Sequence, residues 1–183
     1  MDPPEKRDEA WFTRTYAAQY EHVVNYGRRR LGDPDASAEL AQEVFVVAWR
    51  RRTEVPHRSL PWLYGVARRL LANQWRARRA APEMLPFTDT DSRPDSPAAD
   101  ATVGVADVRA ALDGLPDLDQ EILRLVGWEE LTVSEAAQIL GCTRTAAAVR
   151  LHRARRRLSA AISTRADHAA PRPAALAPTR KEL

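Results

Sequence analysis

An arginine-rich segment near the C-terminal end of the chain carries the clearest binding chemistry. The stretch GCTRTAAAVRLHRARRRL, residues 141–158, contains six arginines and no acidic residue. A helix that is stabilised by its own charges mixes acids among the bases, because pairs spaced three or four residues apart gain a few tenths of a kcal/mol. We therefore expect these arginines to bind an anion that the chain itself does not supply, such as a phosphate backbone.

Two predicted helices position these arginines. Thr132 and Glu135 have the spacing of a capping box, which predicts a helix that begins at Thr132. Gly141 can take the left-handed conformation that ends this helix, and Thr143 can cap the next one. Two short helices joined by a tight turn form a helix-turn-helix, which presents its second helix to the major groove of duplex DNA.

Helical periodicity sorts the second helix into a packed side and an outward side. Apolar residues at spacings of four, three and four are expected to face the domain, namely Ala147, Leu151, Ala154 and Leu158. The outward side is expected to read base edges while flanking guanidinium groups contact phosphates. The residues assigned to duplex contact are Arg144, Thr145, Ala148, Val149, Arg150, His152, Arg153 and Arg156. A solvated basic helix in a bundle is the alternative that the arginines alone leave open.

The rest of the chain is predicted to be helical as well. Apolar residues recur at helical spacing from Asp8 to about Arg30, again in AELAQEVFVVAW, and again in WLYGVARRLLANQWRARR. A stretch rich in proline and acidic residues follows and is typical of a linker. We predict an all-α fold class with two small helical domains joined by a flexible acidic linker. The predicted units are a helical domain at 8–80, the linker at 81–104, a helix-turn-helix domain at 105–163 and a disordered tail at 164–183.

A second basic surface is predicted in the first domain. Between residues 49 and 80 the arginines are opposed only by Glu54, and aromatic residues are interleaved with them. This mixture suits neutralisation of a backbone combined with stacking on unpaired bases. The residues assigned to single-strand contact are Arg52, His57, Arg58, Trp62, Arg68, Arg69, Trp75 and Arg76. For Trp62 and Tyr64 the alternative is a place in the hydrophobic core.

Composition argues against several classes of function. The single cysteine, Cys142, cannot form an internal disulfide and is expected to be a small buried residue, and no Cys and His cluster has zinc-ligand spacing. We expect no metal and no cofactor. The four histidines are scattered, and no phosphate-binding glycine loop or nucleophile elbow is present, so the chain is not expected to be an enzyme. No apolar run approaches the roughly 20 residues of a membrane span, and we expect a cytoplasmic protein.

The segments on either side of the acidic linker together resemble the extracytoplasmic-function group of bacterial sigma factors. AELAQEVFVVAW and PWLYGVARRLLANQWRARR precede the acidic linker, and LDGLPDLDQEILRLVGWEELTVSEAAQILGCTRTAAAVRLHRARRRL follows it. The order and spacing are similar to those of the group over most of the chain. The resemblance implies a sigma-70 family subunit that binds core RNA polymerase, recognises promoter DNA and melts it. The first domain would correspond to sigma region 2 and the last to region 4.

The resemblance also implies a partner for each surface. The arginine-rich helix would contact the minus-35 element, and the second basic surface would hold the melted minus-10 strand, with the loop from Arg52 to Leu60 capturing a flipped base. Phe45 and Trp49 are expected to form an outward apolar stripe for polymerase. The residues assigned to the clamp helices of the largest polymerase subunit are Leu40, Gln42, Glu43, Phe45, Val46 and Trp49. The flap of the second-largest subunit and an anti-sigma factor, including a membrane-bound one, are the other implied partners.

The recognition helix departs from the group at two positions. Many members have polar residues where this chain has Ala148 and Val149, so we expect contact with thymine methyl groups there. A polymerase-independent helix-turn-helix regulator that binds duplex DNA remains the alternative function. For the acidic linker, both a mimic of nucleic acid in the polymerase channel and a solvated tether remain open.

Overall fold

The computed structural model describes residues 6–80 and 103–169. This part of the chain contains seven α-helices, a short 3-10 turn and no strand, which confirms the all-α prediction. The first unit consists of α1 (Glu9–Leu31), α2 (Pro34–Arg50), the 3-10 turn (Arg52–Glu54) and α3 (Ser59–Ala80). The second unit consists of α4 (Val103–Asp113), α5 (Asp117–Gly127), α6 (Val133–Leu140) and α7 (Arg144–Ala169). Most of the predicted linker and most of the predicted tail lie outside the described residues.

Three consecutive residues set the break between α1 and α2. Gly32 ends α1 with a φ of 71°, a left-handed conformation that glycine adopts without steric cost. Asp33 caps α2 by accepting hydrogen bonds from the backbone N–H groups of Asp35 and Ala36. Pro34 occupies the first turn, where its missing N–H is not needed. The short sequence GDP therefore encodes a tight hairpin of two helices.

The first unit is a three-helix bundle with a closely packed core. Val23, Val44 and Leu63 are completely buried, one from each helix. α1 and α2 approach each other closely at Gly27, where an added Cβ would lie 3.1 Å from the Cα of Ser37. Because a Cβ contact of this length is tighter than most, a side chain here would push Ser37 away by a few tenths of an ångström, so glycine suits this crossing.

The second unit is assembled around α7. Helices α4, α5 and α6 all pack against it. Its small core contains Leu112 of α4, Ile122 of α5, Ala137 of α6, and Ala147 and Leu151 of α7. Small residues on α6 and α7 let the two helices of the helix-turn-helix come close together, so that α7 is held at a fixed angle with one side free.

The two units pack against each other over a shared apolar seam. Leu125, Leu131, Ala136 and Ile139 of the second unit belong to the same buried cluster as the core residues of α1, α2 and α3. Helix α3 lies against α6 in this seam. The sequence predicts two units joined by a linker, but it contains no local signal for this contact. The described residues therefore form one continuous body.

Candidate nucleic-acid interface

The helix-turn-helix has the three local signals that its sequence predicts. The carboxylate of Glu135 accepts a hydrogen bond of 2.8 Å from the backbone N–H of Thr132, while the Thr132 hydroxyl accepts one of 3.3 Å from the backbone N–H of Glu135. Gly141 ends α6 with a φ of 68°. The Thr143 hydroxyl accepts a hydrogen bond of 3.1 Å from the backbone N–H of Ala146 at the start of α7. These caps fix the turn that aims α7.

Helix α7 has the packed and outward sides that its periodicity predicts. Ala147, Leu151 and Ala154 are buried, and Leu158 is half-buried against the same cluster. Of the residues assigned to duplex contact, Arg150 is half-buried and the others are exposed, namely Arg144, Thr145, Ala148, Val149, His152, Arg153 and Arg156. An exposed surface of small and basic residues is therefore available along the first four turns of α7.

Two arginines of α7 have an acidic partner within the chain. Asp119 of α5 is 2% exposed, and its carboxylate accepts hydrogen bonds from Arg157 and, at 3.5 Å, from Arg150. The expectation that the chain supplies no anion for these arginines is therefore wrong for this pair. The partner lies on another helix, where the charge pattern within α7 cannot reveal it. Among the described residues, the salt bridges include none with Arg153 or Arg156. The assignment of Arg150 to duplex contact stays a prediction.

Part of the second basic surface is exposed to solvent, and another part contacts the second unit. His57, Arg69 and Arg76 are exposed, and Trp75 is 45% exposed. Arg58 forms an ion pair of 2.9 Å with Glu135 of α6, and the half-buried Arg68 donates a hydrogen bond of 3.4 Å to the backbone carbonyl of Ile139. One side of the predicted single-strand surface therefore faces α6.

The aromatic residues of this surface have mixed environments. Tyr64 is 1% exposed and stacks on Tyr26 with ring centroids 5.0 Å apart. Tyr64 therefore belongs to the hydrophobic core, as the alternative prediction has it. Trp62 is half-buried and packs against the same core. Arg52 lies over the ring of Trp49 at 4.6 Å and donates to its backbone carbonyl, which orders the start of the loop before α3.

The structure corrects the predicted polymerase-contacting stripe on α2. Leu40 is 1% exposed and Phe45 is 2% exposed, and the ring of Phe45 lies 4.8 Å from that of Tyr16 on α1. Trp49 is half-buried, with its ring 5.3 Å from that of Phe12. The prediction that Phe45 and Trp49 form an outward stripe is therefore wrong, because aromatic residues of α1 cover this face of α2. The residues of the set that point outward are Gln42, Glu43 and Val46, and Val46 is 48% exposed.

A charged cluster between the two units has no counterpart in the sequence prediction. We call it the interdomain clasp; it consists of Tyr26, Arg29, Arg30, Glu121 and Glu129. Arg30 donates to both carboxylate oxygens of Glu121, at 3.0 and 3.1 Å, and to Glu129 at 3.0 Å. Arg29 also pairs with Glu129, and the Tyr26 hydroxyl donates to Glu121 at 3.1 Å.

The clasp is buried, which sets its electrostatics. Burial raises the pKa of Tyr26 and outweighs the charge of Arg30, so the phenol stays protonated. Burial opposes the charge of Arg30, but Tyr26, Glu121 and Glu129 together raise the pKa of its guanidinium. Burial, followed by repulsion from Arg30, lowers the pKa of the neighbouring Arg124. The Tyr26 phenol and the Arg30 guanidinium therefore keep their protons at physiological pH.

Three further expectations are addressed by the described residues. Cys142 is exposed, so the expectation that it is buried is wrong: it lies in the turn outside the packed faces of α6 and α7. Among the described residues, no group of His, Cys, Asp and Glu side chains could hold a metal ion. None of the described helices has both the length and the apolar character needed to span a membrane.

Comparisons with known sequences place both units in one family. The chain matches two family models, Sigma-70 region 2 over residues 15–81 and Sigma-70, region 4 over residues 106–158. It is 32% identical over 133 residues to the ECF RNA polymerase sigma factor EcfG of Rhodopseudomonas palustris, covering 72% of this chain and 74% of the relative. It is 34% identical over 159 residues to the ECF RNA polymerase sigma factor SigD of Mycobacterium tuberculosis, covering 80% and 74%.

Solved structures that share the fold include two complexes. The sigma factor RpoE, in complex with the anti-sigma factor NepR from Bartonella quintana, has a TM-score of 0.64 and 21% identity, covering 83% of this chain and 96% of that one. CnrH, in complex with the cytosolic domain of CnrY, has a TM-score of 0.59 and 22% identity, covering 86% and 90%. At this level of identity the likeness concerns the arrangement of helices.

Proposed function

This chain belongs to the extracytoplasmic-function group of the sigma-70 family, and on that basis we propose how its two units divide the work of promoter recognition. As a sigma factor it binds core RNA polymerase and directs promoter recognition and DNA melting for transcription initiation. Sigma factors are initiation factors, and we propose no enzymatic activity for the chain. The proposal concerns which side chains contact each partner.

We propose that α7 reads the minus-35 element as duplex DNA. The observation that carries this proposal is the exposed side of α7 between Arg144 and Leu158, which has no acidic residue and lies opposite the buried stripe of Ala147, Leu151 and Ala154. Exposed arginines along the sides, including Arg153, would neutralise phosphates, and each such contact releases a condensed counterion. Val149 is 45% exposed and would contact a thymine methyl group. The full set is Arg144, Thr145, Ala148, Val149, Arg150, His152, Arg153 and Arg156.

We propose that the loop before α3 and the outer side of α3 hold the melted minus-10 strand. The exposed Trp75 offers a ring for stacking, and Arg69 and Arg76 lie on the same helix for backbone contact. Unstacking a base costs on the order of a few kcal/mol, and stacking with phosphate contacts returns a similar amount. Melting therefore needs no nucleotide hydrolysis. The full set is Arg52, His57, Arg58, Trp62, Arg68, Arg69, Trp75 and Arg76.

We propose that the outward side of α2 docks on the clamp helices of the largest polymerase subunit. Gln42, Glu43 and Val46 supply the contact, and the partly exposed edge of Trp49 adjoins them. Leu40 and Phe45 support this side from the core without reaching the partner. An exposed valine between polar residues matches the mixed composition of dissociable interfaces. The second unit would engage the flap of the second-largest subunit.

The remaining partner is an anti-sigma factor. Two of the structures that share this fold are complexes, one of the sigma factor RpoE with the anti-sigma factor NepR and one of CnrH with the cytosolic domain of CnrY, which supports regulation by a protein partner here. Because the working partner is core RNA polymerase, we place the chain in the cytoplasm, held there or at the membrane by the anti-sigma factor.

The proposal is tested by reconstitution with bacterial core RNA polymerase. The full chain should co-purify with core polymerase, and run-off transcription from genomic fragments should produce transcripts that require both. Val46→Asp should reduce co-purification, whereas Ala18→Asp, at an exposed position of α1, should not. Specific duplex binding by the free chain without polymerase association would instead establish the polymerase-independent regulator.

A further inference from the structure

Asp119 of α5 is a buried carboxylate that faces one flank of the arginine-rich helix α7. We infer that Asp119 takes the place of a DNA phosphate for Arg157 and competes with phosphates for Arg150. The chain then binds duplex DNA of arbitrary sequence more weakly than its arginines alone would allow, and Asp119 is a specificity-determining residue. The inference deepens the proposed function and rests on it, since it concerns duplex binding by α7.

Asp119 is held in place beneath α7 by the packing of the second unit. It lies in the first turn of α5, which packs along α7, and its side chain is 3% exposed. Each carboxylate oxygen has an arginine partner: Oδ1 accepts from Arg150 at 3.5 Å, and Oδ2 accepts from Arg157. A charge buried to this extent is costly without such partners. A phosphate can therefore recruit these arginines only in competition with Asp119.

The two guanidinium groups converge on this one carboxylate. Arg150 and Arg157 are seven residues apart, which is about two helical turns or about 10.5 Å along the axis. Their side chains nevertheless reach the two oxygens of the same carboxylate. Arginines that hold a DNA strand at separate phosphates would not need to meet at one point. The arrangement therefore fits neutralisation of Asp119 better than a grip on the DNA backbone.

Both arginines stay within reach of an incoming phosphate. The side chain of Arg150 is 41% exposed and that of Arg157 is 55% exposed. The contact of Arg150 with Asp119, at 3.5 Å, is long for a hydrogen bond, so a phosphate draws Arg150 away more easily than Arg157. Arg150 can therefore contact duplex DNA as proposed, whereas Arg157 stays with Asp119.

An internal anion of this kind acts mainly against binding that is independent of sequence. Phosphate contacts supply essentially all of the non-specific affinity for DNA, and each contact releases condensed counterions. At the correct site, base contacts of the outward side, such as that proposed for Val149, also hold α7 in register. At other sites α7 depends on phosphates alone, so loss of a free arginine weakens those complexes more. This difference favours the correct site.

The first test measures the salt dependence of duplex binding by the full chain. Fluorescence anisotropy follows binding to a labelled duplex of scrambled sequence over a series of salt concentrations. Asp119→Asn should steepen the slope of log affinity against log salt by about 1 to 2, because one or two more arginines can contact phosphates. Asp117→Asn is the control, since it removes the same charge at an exposed position of the same helical turn. A slope for Asp119→Asn no steeper than that for Asp117→Asn would overturn the inference.

A variant at the surface keeps the inference testable should Asp119→Asn fail to fold. With Asp119 intact, Arg157→Gln should leave the salt slope nearly unchanged, because Arg157 makes no phosphate contact to lose. A slope lowered by about 1 would reveal a full phosphate contact and would overturn the inference. Arg153→Ala is the reference and should lower the slope by about 1. An unchanged slope for Arg153→Ala would instead contradict the proposed duplex contact of α7 itself.

The second test measures sequence discrimination by the holoenzyme. Affinities are compared for an upstream promoter fragment from the run-off screen and for the scrambled duplex. Asp119→Asn should lower the ratio of these affinities several-fold relative to Asp117→Asn, because it strengthens binding to the scrambled duplex more. A steeper salt slope with an unchanged ratio would overturn the role of Asp119 in specificity.

Discussion

Arg30 and Glu129 form an ion pair between the two units of the chain, although they are 99 positions apart in the sequence. Their side chains are almost completely withdrawn from solvent. Taking two charges out of water offsets most of their attraction, so a buried pair adds little stability over an apolar replacement. Removing one partner is costly, because it leaves the other charge buried alone. We interpret the pair as selecting one arrangement of the units.

The outward arginines of α7 should control duplex binding independently of the fold. Arg153→Ala should weaken the binding of the holoenzyme to an upstream promoter fragment by about 1 kcal/mol and lower the salt slope by about 1, because one phosphate contact is lost. Fluorescence anisotropy over a series of salt concentrations measures both quantities. Arg157→Ala, which removes a partner of Asp119, should change the salt slope less. A larger change in salt slope for Arg157→Ala than for Arg153→Ala would instead place the DNA on the side of α7 that faces α5.

The buried carboxylate of Asp119 should stabilise the second unit. Asp119→Asn removes the charge that Arg150 and Arg157 share and should lower the free energy of unfolding by about 1–3 kcal/mol. Asp117→Asn is a matched control, since Asp117 is exposed in the same first turn of α5 and has the same favourable position near the helix N-terminus. Urea denaturation of the full chain compares the two. Equal destabilisation would mean that helix polarity, and not the ion pair, explains the effect.

Substitutions at two neighbouring residues of α2 should affect stability and polymerase binding separately. Phe45→Ala removes a ring that is 2% exposed and should cost about 3–5 kcal/mol of stability. Val46→Asp changes an exposed position and should alter stability by no more than about 0.5 kcal/mol while weakening association with core polymerase. Thermal denaturation and co-purification measure the two effects. A stable Phe45→Ala variant that fails to bind polymerase would show that the ring turns outward after all.

The capping box should make stability depend on pH. Burial raises the pKa of Glu135, but hydrogen bonds from Thr132 and the charge of Arg58 outweigh it and hold the pKa below its ordinary value of 4.5. A pKa that is lower in the folded state contributes stability that is present above 4.5 and is lost as the pH falls through the folded value. Glu135→Gln should therefore be about 0.5–2 kcal/mol less stable than the wild type at pH 7. Denaturation at decreasing pH should show that this stability difference between variant and wild type shrinks below pH 4.5. A stability difference that does not vary with pH would contradict a role for the Glu135 charge.

Local signals predict local structure well in this chain. The capping box of Thr132 and Glu135, the turn at Gly141 and the packed stripe of α7 each depend on residues within a few positions of one another. Their physical causes are hydrogen bonds to free backbone groups and the 3.6-residue period, and both can be recognised in one sequence. The outward face of the candidate duplex interface follows from these signals.

Long-range pairings could not be predicted in the same way. Asp119 meets Arg150 across 31 positions, and Arg30 meets Glu121 across 91, so no spacing rule connects them. Phe45 shows a related difficulty, because α2 has two apolar faces and periodicity does not indicate which one α1 covers. The contact of Arg58 with α6 likewise depends on how the units pack.

The most direct test of the sigma-factor assignment is permanganate reactivity of thymines in promoter DNA taken from the run-off screen. Permanganate oxidises unpaired thymines, so it reports strand separation at single positions. With core polymerase and this chain together, reactive thymines should appear just upstream of the transcription start, and neither protein alone should produce them. Promoter DNA that stays unreactive with both proteins, or that is bound specifically by the chain alone, would contradict the assignment.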